Sequence, residues 1–464
     1  ESIKYYKRLF TLSQGEATDH NYTFSSLINS GTISLSQGQY DSAEYYLMYA
    51  DELNSKNKTH EDWRKWQIRI DNGLALLYNT RGQPHKSIEI YEHQLTFLEN
   101  PQTENDSITL SNIYNNLSTA YLNQGDYIKA EFYIKQSINA LEVKSGPKYI
   151  SSANNLASIY RYTDRLDLAK NLLTELVNRH ASTSSQSPLY PSLLYNLADI
   201  YLEQEQLDLA SNYFRQAIAY LKTYYQSHAF VYQHALVGLA ETLMWQKELS
   251  EAEKFFIEAI DLILENIASN FTYLSEEEQR AFYLELIPIM ERFELFAMIR
   301  GGAAKWPNAK VDKTIYGKFL DFRLATKGLM LNNSARLKHE ILSSTNTDLK
   351  NNYNRWKAMR NRLAAVSSLK EQKVLMQEVE SMEKALALQT HRFDISNTQA
   401  FSWRDIQSKL APDEAAVEIV RIFNGSFYVA LIVTSKTQKH PEMALIKSDE
   451  NRGLEKEYFT SYKN

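Results

Sequence analysis

SNIYNNLSTAYLNQGDYIKAEFYIKQSINALEVKS, residues 111–145, decides how the rest of the chain is read. Tyr114, Leu117, Ala120 and Tyr121 recur at i, i+3, i+6 and i+7, which is one face of a helix. Tyr127, Ala130, Tyr133, Ile134 and Ile138 supply the apolar face of a second helix. Gly125-Asp126 between them is a turn, because Gly accepts the positive φ that ends a helix. Ala130 is small where the two helices must approach closely. The unit is a helical hairpin with more apolar surface than it can bury alone.

The hairpin recurs. Aligned on the small residue of the second helix, Ala43, Ser87, Ala130, Ala169, Ala210 and Ala252 mark six copies, spaced 44, 43, 39, 41 and 42 residues apart. A period in this range predicts a stacked solenoid. NNLASIY (154–160), YNLADIY (195–201) and VGLAETL (237–243) are first helices; AEYYLMYA, AEFYIKQS, ASNYFRQA and AEKFFIEA are second helices. This Leu-small-x-x-Tyr, turn, Ala-x-x-x-Phe/Tyr-x-x-Ala pattern resembles the tetratricopeptide repeat. A unit near 42 residues resembles its kinesin light-chain variety. The resemblance implies a right-handed α-solenoid, mainly α. Ser34 in the first copy and Pro84 and Ser87 in the second depart from the pattern.

Composition narrows the function classes. The 464 residues carry a net charge of −5, with 14 Gly, 9 Pro and 31 Tyr, as packed helices with few tight turns require. No basic stripe is available to neutralise a run of phosphates, so nucleic acid is not an expected direct ligand. The absence of Cys excludes disulfides, thiolate metal sites and a cysteine nucleophile within this chain. No apolar run approaches a membrane span, and the expectation is a soluble, cytoplasmic protein without a cofactor.

Four regions are predicted. Residues 1–23, with Ile3, Tyr6, Leu9 and Phe10, read as a capping helix or as the remnant of an earlier repeat. Six repeats run over 24–264, joined by polar loops of which 180–191 is the longest. Residues 265–400 read as a helical linker. In it Ser275-Glu276-Glu277-Glu278 forms a capping box that opens a helix bent by Pro288 and ending at Gly301-Gly302. A helix over Ile315–Leu331 follows, then a helical hairpin over 347–366 and 368–391. From 401 the pattern turns to period two. Ala416–Phe423 and Phe427–Val433 flank an Asn424-Gly425 hairpin turn, and Met443–Ile446 reads as a third strand. Three strands with two apolar faces need further cover, so the chain is expected to stop inside an α/β domain.

The order of these elements, with Lys327-Gly328-Leu329-Met330-Leu331, Trp403-Arg404-Asp405-Ile406-Gln407, Leu410 and the Val417–Phe423 strand, resembles the opening of the CHAT domain. That caspase-like module commonly follows tetratricopeptide repeats in bacteria. The resemblance implies a cysteine peptidase associated with bacterial defence, in which a His activates a Cys thiolate. Here no residue can take the nucleophile's role, no catalytic residue is assigned, and this polypeptide is expected to be the inactive sensor and scaffold part. The alternative is a scaffold with no peptidase at all.

The candidate site is a polar ladder. Asn116, Asn155 and Asn196 precede the repeat Leu in three successive units, and Asn29 holds that place in the first. Asn is a mediocre helix former, so its recurrence within helices asks for a reason. Two reasons are open: a row of amides clamping the backbone of an extended peptide, as in the light-chain repeats, or hydrogen bonds within the scaffold. Gly73 and Gly238 interrupt the row, while Asn112, Asn115, Asn154, Arg161 and Asp199 are placed on the same groove. Tyr114, Tyr121, Tyr160, Tyr201, Tyr213, Phe214, Phe255 and Phe256 read as packing between hairpins. His228 and His234 are six apart, wrong for two ligands on one helical face, and no metal site is expected.

Overall fold

The computed structural model describes residues 20–36, 40–56, 58, 62–96, 98, 104–143, 145–181, 187–224, 230–270, 276–327, 338–365, 375–376, 378–379, 381–383, 385–386, 402–422 and 427–447. The capping-helix residues Ile3, Tyr6, Leu9 and Phe10, the Ser275 cap, residues 328–331, His228 and the Asn424-Gly425 turn lie outside them. The chain divides into two compact units, Glu1–Thr242 and Leu243–Asn464.

The first unit is built of helix pairs: α1 (His20–Ser36) with α2 (Tyr40–Lys56), α3 (Trp63–Thr80) with α4 (Pro84–Leu95), α5 (Glu104–Gln124) with α6 (Tyr127–Ala140), α7 (Pro147–Tyr162) with α8 (Leu166–Ala181), and α9 (Tyr190–Glu203) with α10 (Leu207–Tyr224). Helix α11 (Phe230–Trp245) carries the chain across the boundary and α12 (Leu249–Asn270) follows it, six residues longer than the Leu264 limit read from the sequence. The first unit is a mainly helical solenoid of stacked hairpins. All six residues used to align the copies, Ser87 included, have no exposed surface. At the α5–α6 crossing the Ser118 hydroxyl donates to the Ala130 carbonyl at 2.7 Å, a contact that only a small neighbour permits.

The turns repeat as faithfully as the packing. Gly82, Gly125, Asp164, Glu205 and Lys247 all have positive φ, between 59° and 84°. In each case the next amide reaches back to the residue five before it: Gln83 to Tyr78, Asp126 to Tyr121, Arg165 to Tyr160, Gln206 to Tyr201 and Glu248 to Leu243, at 2.8–2.9 Å. The left-handed residue's own amide bonds three back, so each first helix closes with a Schellman motif. Pro84, Pro147 and Pro191 sit in the first turns of α4, α7 and α9, where a missing N–H is harmless. Pro84 therefore starts a helix properly, and the second copy forms its hairpin.

Some details differ from the sequence reading. Tyr127 is turned out of the α6 apolar face and stacks on Tyr162 at 6.0 Å. Ile128 and Phe132 on the same helix are exposed. Tyr114, Tyr121 and Tyr133 stack together, Tyr201 stacks on Tyr213, and Phe214 and Phe256 are wholly buried, as packing residues. The two glycines that break the Asn row are explained by close approach. A Cβ on Gly73 would meet Leu47 at 2.6 Å, and one on Gly238 would meet the Phe214 ring at 2.4 Å.

In the second unit, α12 packs with α13 (Glu276–Arg300) and α14 (Ile315–Thr326) around Phe256, Phe293, Phe296, Phe319 and Phe322. Helix α13 accommodates Pro288 within its span and ends before Gly302, whose φ is 81°. Burial pushes the Glu294 carboxyl up to about 7, and Arg323 at 3.2 Å pulls against that shift. Helix α14 stops at Thr326 rather than Leu331: Lys327 is already extended, and its amine pairs with Glu418. Helix α15 (Thr347–Ala365) packs Leu349, Tyr353 and Trp356 against Ile341, Met382 and Leu386. The short α16 (Trp403–Gln407) opens with a Ser402–Asp405 capping box. Strands β1 (Ala415–Ile422), β2 (Phe427–Thr434) and β3 (Glu442–Lys447) form an antiparallel sheet in the order β1-β2-β3. Ile419 pairs with Ala430 and Ala430 with Ala444. Among the described residues no helix is long and apolar enough to cross a membrane.

Two stability measurements test the turn and the close approach. Replacing Glu205 by Gly relieves a left-handed conformation and is expected to stabilise the chain by about 0.5–1 kcal/mol in chemical denaturation. Gly238→Ala is expected to destabilise it by about 1–3 kcal/mol, because the buried Phe214 ring has nowhere to move.

Candidate functional site: the first helices of the repeats

Each first helix of the central repeats presents a polar row beside its apolar one. On α5, Ile113, Leu117 and Ala120 are buried while Asn112, Asn115 and Asn116 are half-buried. On α7 the same holds for Asn154 and Asn155, and on α9 for Asn196. Asn29 on α1 is also half-buried, with the Gly73-bearing α3 between it and the central row.

The amides are tied to one another across repeat boundaries. Asn155 donates to Asn115 Oδ1 at 3.0 Å and to Thr119 Oγ1 at 3.3 Å. Asn196 donates to Asn154 Oδ1 at 2.8 Å, and Asn115 donates to its neighbour Asn116 at 3.2 Å. Thus amide bonds join three successive first helices in two sets, Asn116–Asn115–Asn155 between α5 and α7 and Asn154–Asn196 between α7 and α9, and Asn155 donates to two acceptors. Asn112 and Asn29 stand outside these bonds.

Arg161 and Asp199 also meet each other. The Arg161 guanidinium lies 2.8 Å from Asp199 and 2.7 Å from Glu203, bridging α7 to α9. Burial pulls the guanidinium down, but Asp199 and Glu203 more than offset it and hold it above its ordinary value. Arg161 is therefore already engaged and contributes rigidity to the surface. Tyr195 lies beside His234, with ring centroids 6.2 Å apart. Among the described residues no group of His, Asp or Glu is placed to hold a metal ion.

Several rungs were not among the sequence candidates. Asn123 donates to Asn79 at 3.1 Å, the Tyr121 hydroxyl to Glu92 at 2.7 Å, and Arg165 to Glu131 at 2.6 Å. Ser111, Ser137 and Ser152 form a buried hydroxyl chain at 2.8–3.0 Å that ends on Asn115. The signal for one of them was present: Asn79 and Asn123 are 44 apart, much as the candidate pairs Asn115–Asn155 and Asn154–Asn196 are 40 and 42 apart. Polar pairs one repeat period apart are candidates for inter-repeat bonds. The serine chain carries no such signal, because small hydroxyl residues pass for neutral filler in a helical pattern.

Comparison with known proteins bears on the repeats. Tetratricopeptide-repeat family models match residues 149–223 and 111–140. The chain therefore carries tetratricopeptide repeats, modules that generally bind protein partners, and both matches lie in the first unit. Among solved structures, a putative kinesin light chain of Podosopora anserina with nearly identical TPR-like repeats is 19% identical, with a TM-score of 0.36, over 44% of this chain and 96% of that one. BtubC (BKLC) from P. vanneervenii is 17% identical with a TM-score of 0.39, covering 52% of this chain and 90% of its own. A tetratricopeptide repeat protein from Parabacteroides merdae is 16% identical with a TM-score of 0.38, over 56% and 85%. No curated protein matches the chain.

The bridge from Glu131 of α6 to Arg165, just before α8, gives a pH test of inter-repeat coupling. Its hydrogen bond from Arg165, helped by Lys135, holds the Glu131 carboxyl down at about 2, below its ordinary 4.5. A depressed carboxylate contributes stability above its unfolded value and loses it as pH falls. The wild-type thermal midpoint is expected to fall between pH 4.5 and 2 more steeply than that of Arg165→Ala, measured by circular dichroism across that range.

Proposed function

We propose that this chain is a protein-interaction scaffold whose central first helices hold an extended segment of a protein partner. The observation that carries this reading is the pair of amide bonds between successive first helices, Asn155 to Asn115 and Asn196 to Asn154, with Asn116 bonded to Asn115. These bonds tie three successive first helices to one another and set amide groups at the spacing of the repeats. Side-chain amides both donate and accept, so they can follow a peptide backbone irrespective of its sequence. Asn116, Asn155 and Asn196 are the core of the proposed site, with Asn29, Asn112, Asn115, Asn154, Arg161 and Asp199 at its margins.

In the whole protein, we infer, this scaffold serves as the cytoplasmic sensor of a caspase-like cysteine peptidase, passing partner binding to the peptidase or supplying its substrate. Support comes from the resemblance of Lys327–Leu331, Trp403–Gln407 and the β1 region to the CHAT domain, and from contacts that join those segments. Asp321 of α14 accepts the Trp403 amide at 2.6 Å, and Lys327 pairs with Glu418 of β1. A partner that prefers one arrangement of the stacked repeats would bias the attached domain by that preference. A non-catalytic scaffold remains the competing reading; a gene continuing past Asn464 with His and Cys at successive strand ends separates the two.

The groove is tested with Asn116→Ala/Asn155→Ala/Asn196→Ala. The triple variant is expected to keep its helical circular dichroism and lose partner capture by at least tenfold. Arg165→Ala, which breaks an inter-repeat bridge away from the row, retains capture. Equal capture by the triple variant and the wild type removes the clamp.

A further inference from the structure

Each second helix of the first unit packs one ridge against its neighbours, set by the crossing residue and the positions four and seven beyond it. In α2, α6, α8 and α10 the residue four beyond is Leu47, Ile134, Leu173 and Phe214. The residue seven beyond is Ala50, Ser137, Leu176 and Ala217, and all eight are wholly buried. Ser137, the polar exception, bonds to the Ser111 carbonyl and to the Ser152 hydroxyl.

The ridge of α4 is polar throughout. Ser87, Tyr91 and Gln94 hold these three places, each no more than 1% exposed. Among the described residues the Ser87 hydroxyl and Gln94 Oε1 have no hydrogen-bond partner, and the Tyr91 hydroxyl approaches Asn116 without a formed hydrogen bond. The Gln94 amide donates to the Ile68 carbonyl at 3.0 Å. At the head of the same face Gln83 is buried with both amide atoms unpaired. A buried polar atom without a partner costs free energy that an apolar group of the same shape does not.

Two further features weaken the hold on this helix. It is 12 residues long, against 14–18 for the other second helices of the unit. Gln83 makes no capping bond at its start, whereas Asp126 caps α6 at 3.0 Å. The apolar core also divides here. Phe24, Leu47, Trp66 and Ile70 belong to a cluster whose buried members all lie on α1–α3, while Ile88 and Tyr91 of α4 join the cluster of Ile113, Leu117 and Ile134. The bond from Tyr121 to Glu92 ties the exposed side of α4 to α5 and leaves the ridge untouched.

We infer that α4 is a joint in the solenoid, the element that opens locally before the helices on either side of it. Local opening begins where burial and pairing are poorest, and on this chain both are poorest along one face of α4. The inference concerns the scaffold and does not rest on the groove reading.

Hydrogen exchange of the full chain, read by mass spectrometry and corrected for intrinsic rates, tests it. Amides of 84–95 are expected to exchange at least tenfold faster than those of both 40–56 and 127–140. The comparison with 40–56 separates a joint from fraying, because fraying from the N-terminus opens α2 no later than α4. The variant Ser87→Ala/Tyr91→Phe/Gln94→Leu gives α4 the residue types found at these places in the other copies. It is expected to slow exchange over 84–95 at least tenfold and to leave 127–140 unchanged. If that variant does not fold, Tyr91→Phe alone is expected to slow it at least threefold. Exchange over 84–95 as slow as over 127–140, faster exchange over 40–56 than over 84–95, or variants that leave 84–95 unchanged overturns the inference.

Discussion

The close approach of two helices at one small, fully buried side chain is what the repeat unit depends on. Ala43, Ser87, Ala130, Ala169, Ala210 and Ala252 each occupy that position without exposed surface. A larger residue there would push the second helix away and uncover the apolar rows that close packing hides. The turn cooperates with the crossing. A left-handed residue at Gly82, Gly125, Asp164, Glu205 and Lys247 caps the first helix and aims the chain back along it. Asp, Glu and Lys are tolerated at such positions because the Schellman bonds and the hairpin packing over-determine the geometry.

Apolar packing accounts for stacking but leaves a polar row on each first helix, and the structure joins those rows to one another. Asn115 to Asn155, Asn154 to Asn196, and Arg161 to Asp199 and Glu203 are bonds from one repeat to the next. Each such bond contributes about 0.5–1.5 kcal/mol in general, and more where charge is involved. They also tie neighbouring first helices to one another across the repeat boundary. The amides thus serve the scaffold; on the proposed reading of the row as a peptide site, side chains tied in this way are also pre-organised, so binding would lose less ordering entropy.

The second unit obeys a different logic. A cluster of phenylalanines on α12, α13 and α14 supplies its helical core, and short polar ties position what lies beyond it. Asp321 holds the start of α16 through the Trp403 amide, and Lys327 reaches Glu418 from the end of α14. The sheet has one buried face and one that is half open, so the two apolar faces read from the sequence are not equally covered. Val417 and Ile419 remain exposed on the second, while Glu418 is buried on the first.

The sequence by itself determined the repeat. Period, turn position and the small crossing residue are local, and each recurs often enough that an atypical copy such as Pro84–Ser87 could still be placed. The antiparallel strands were legible for the same reason, since period two over Ala416–Ile422 and Phe427–Val433 is a local pattern. Only the tertiary structure decided what the asparagines bond to. A polar residue's partner lies some 40 residues away across a repeat boundary, and periodicity does not say which of its neighbours it will face. Gly73 and Gly238 were likewise visible as gaps, but Leu47 and Phe214, which require them, became visible only in three dimensions. The end of α14 at Thr326 and the burial of Glu418 belong to the same class. Helical propensity and strand alternation are properties of a segment, whereas a close contact or a buried charge is a property of everything packed around it.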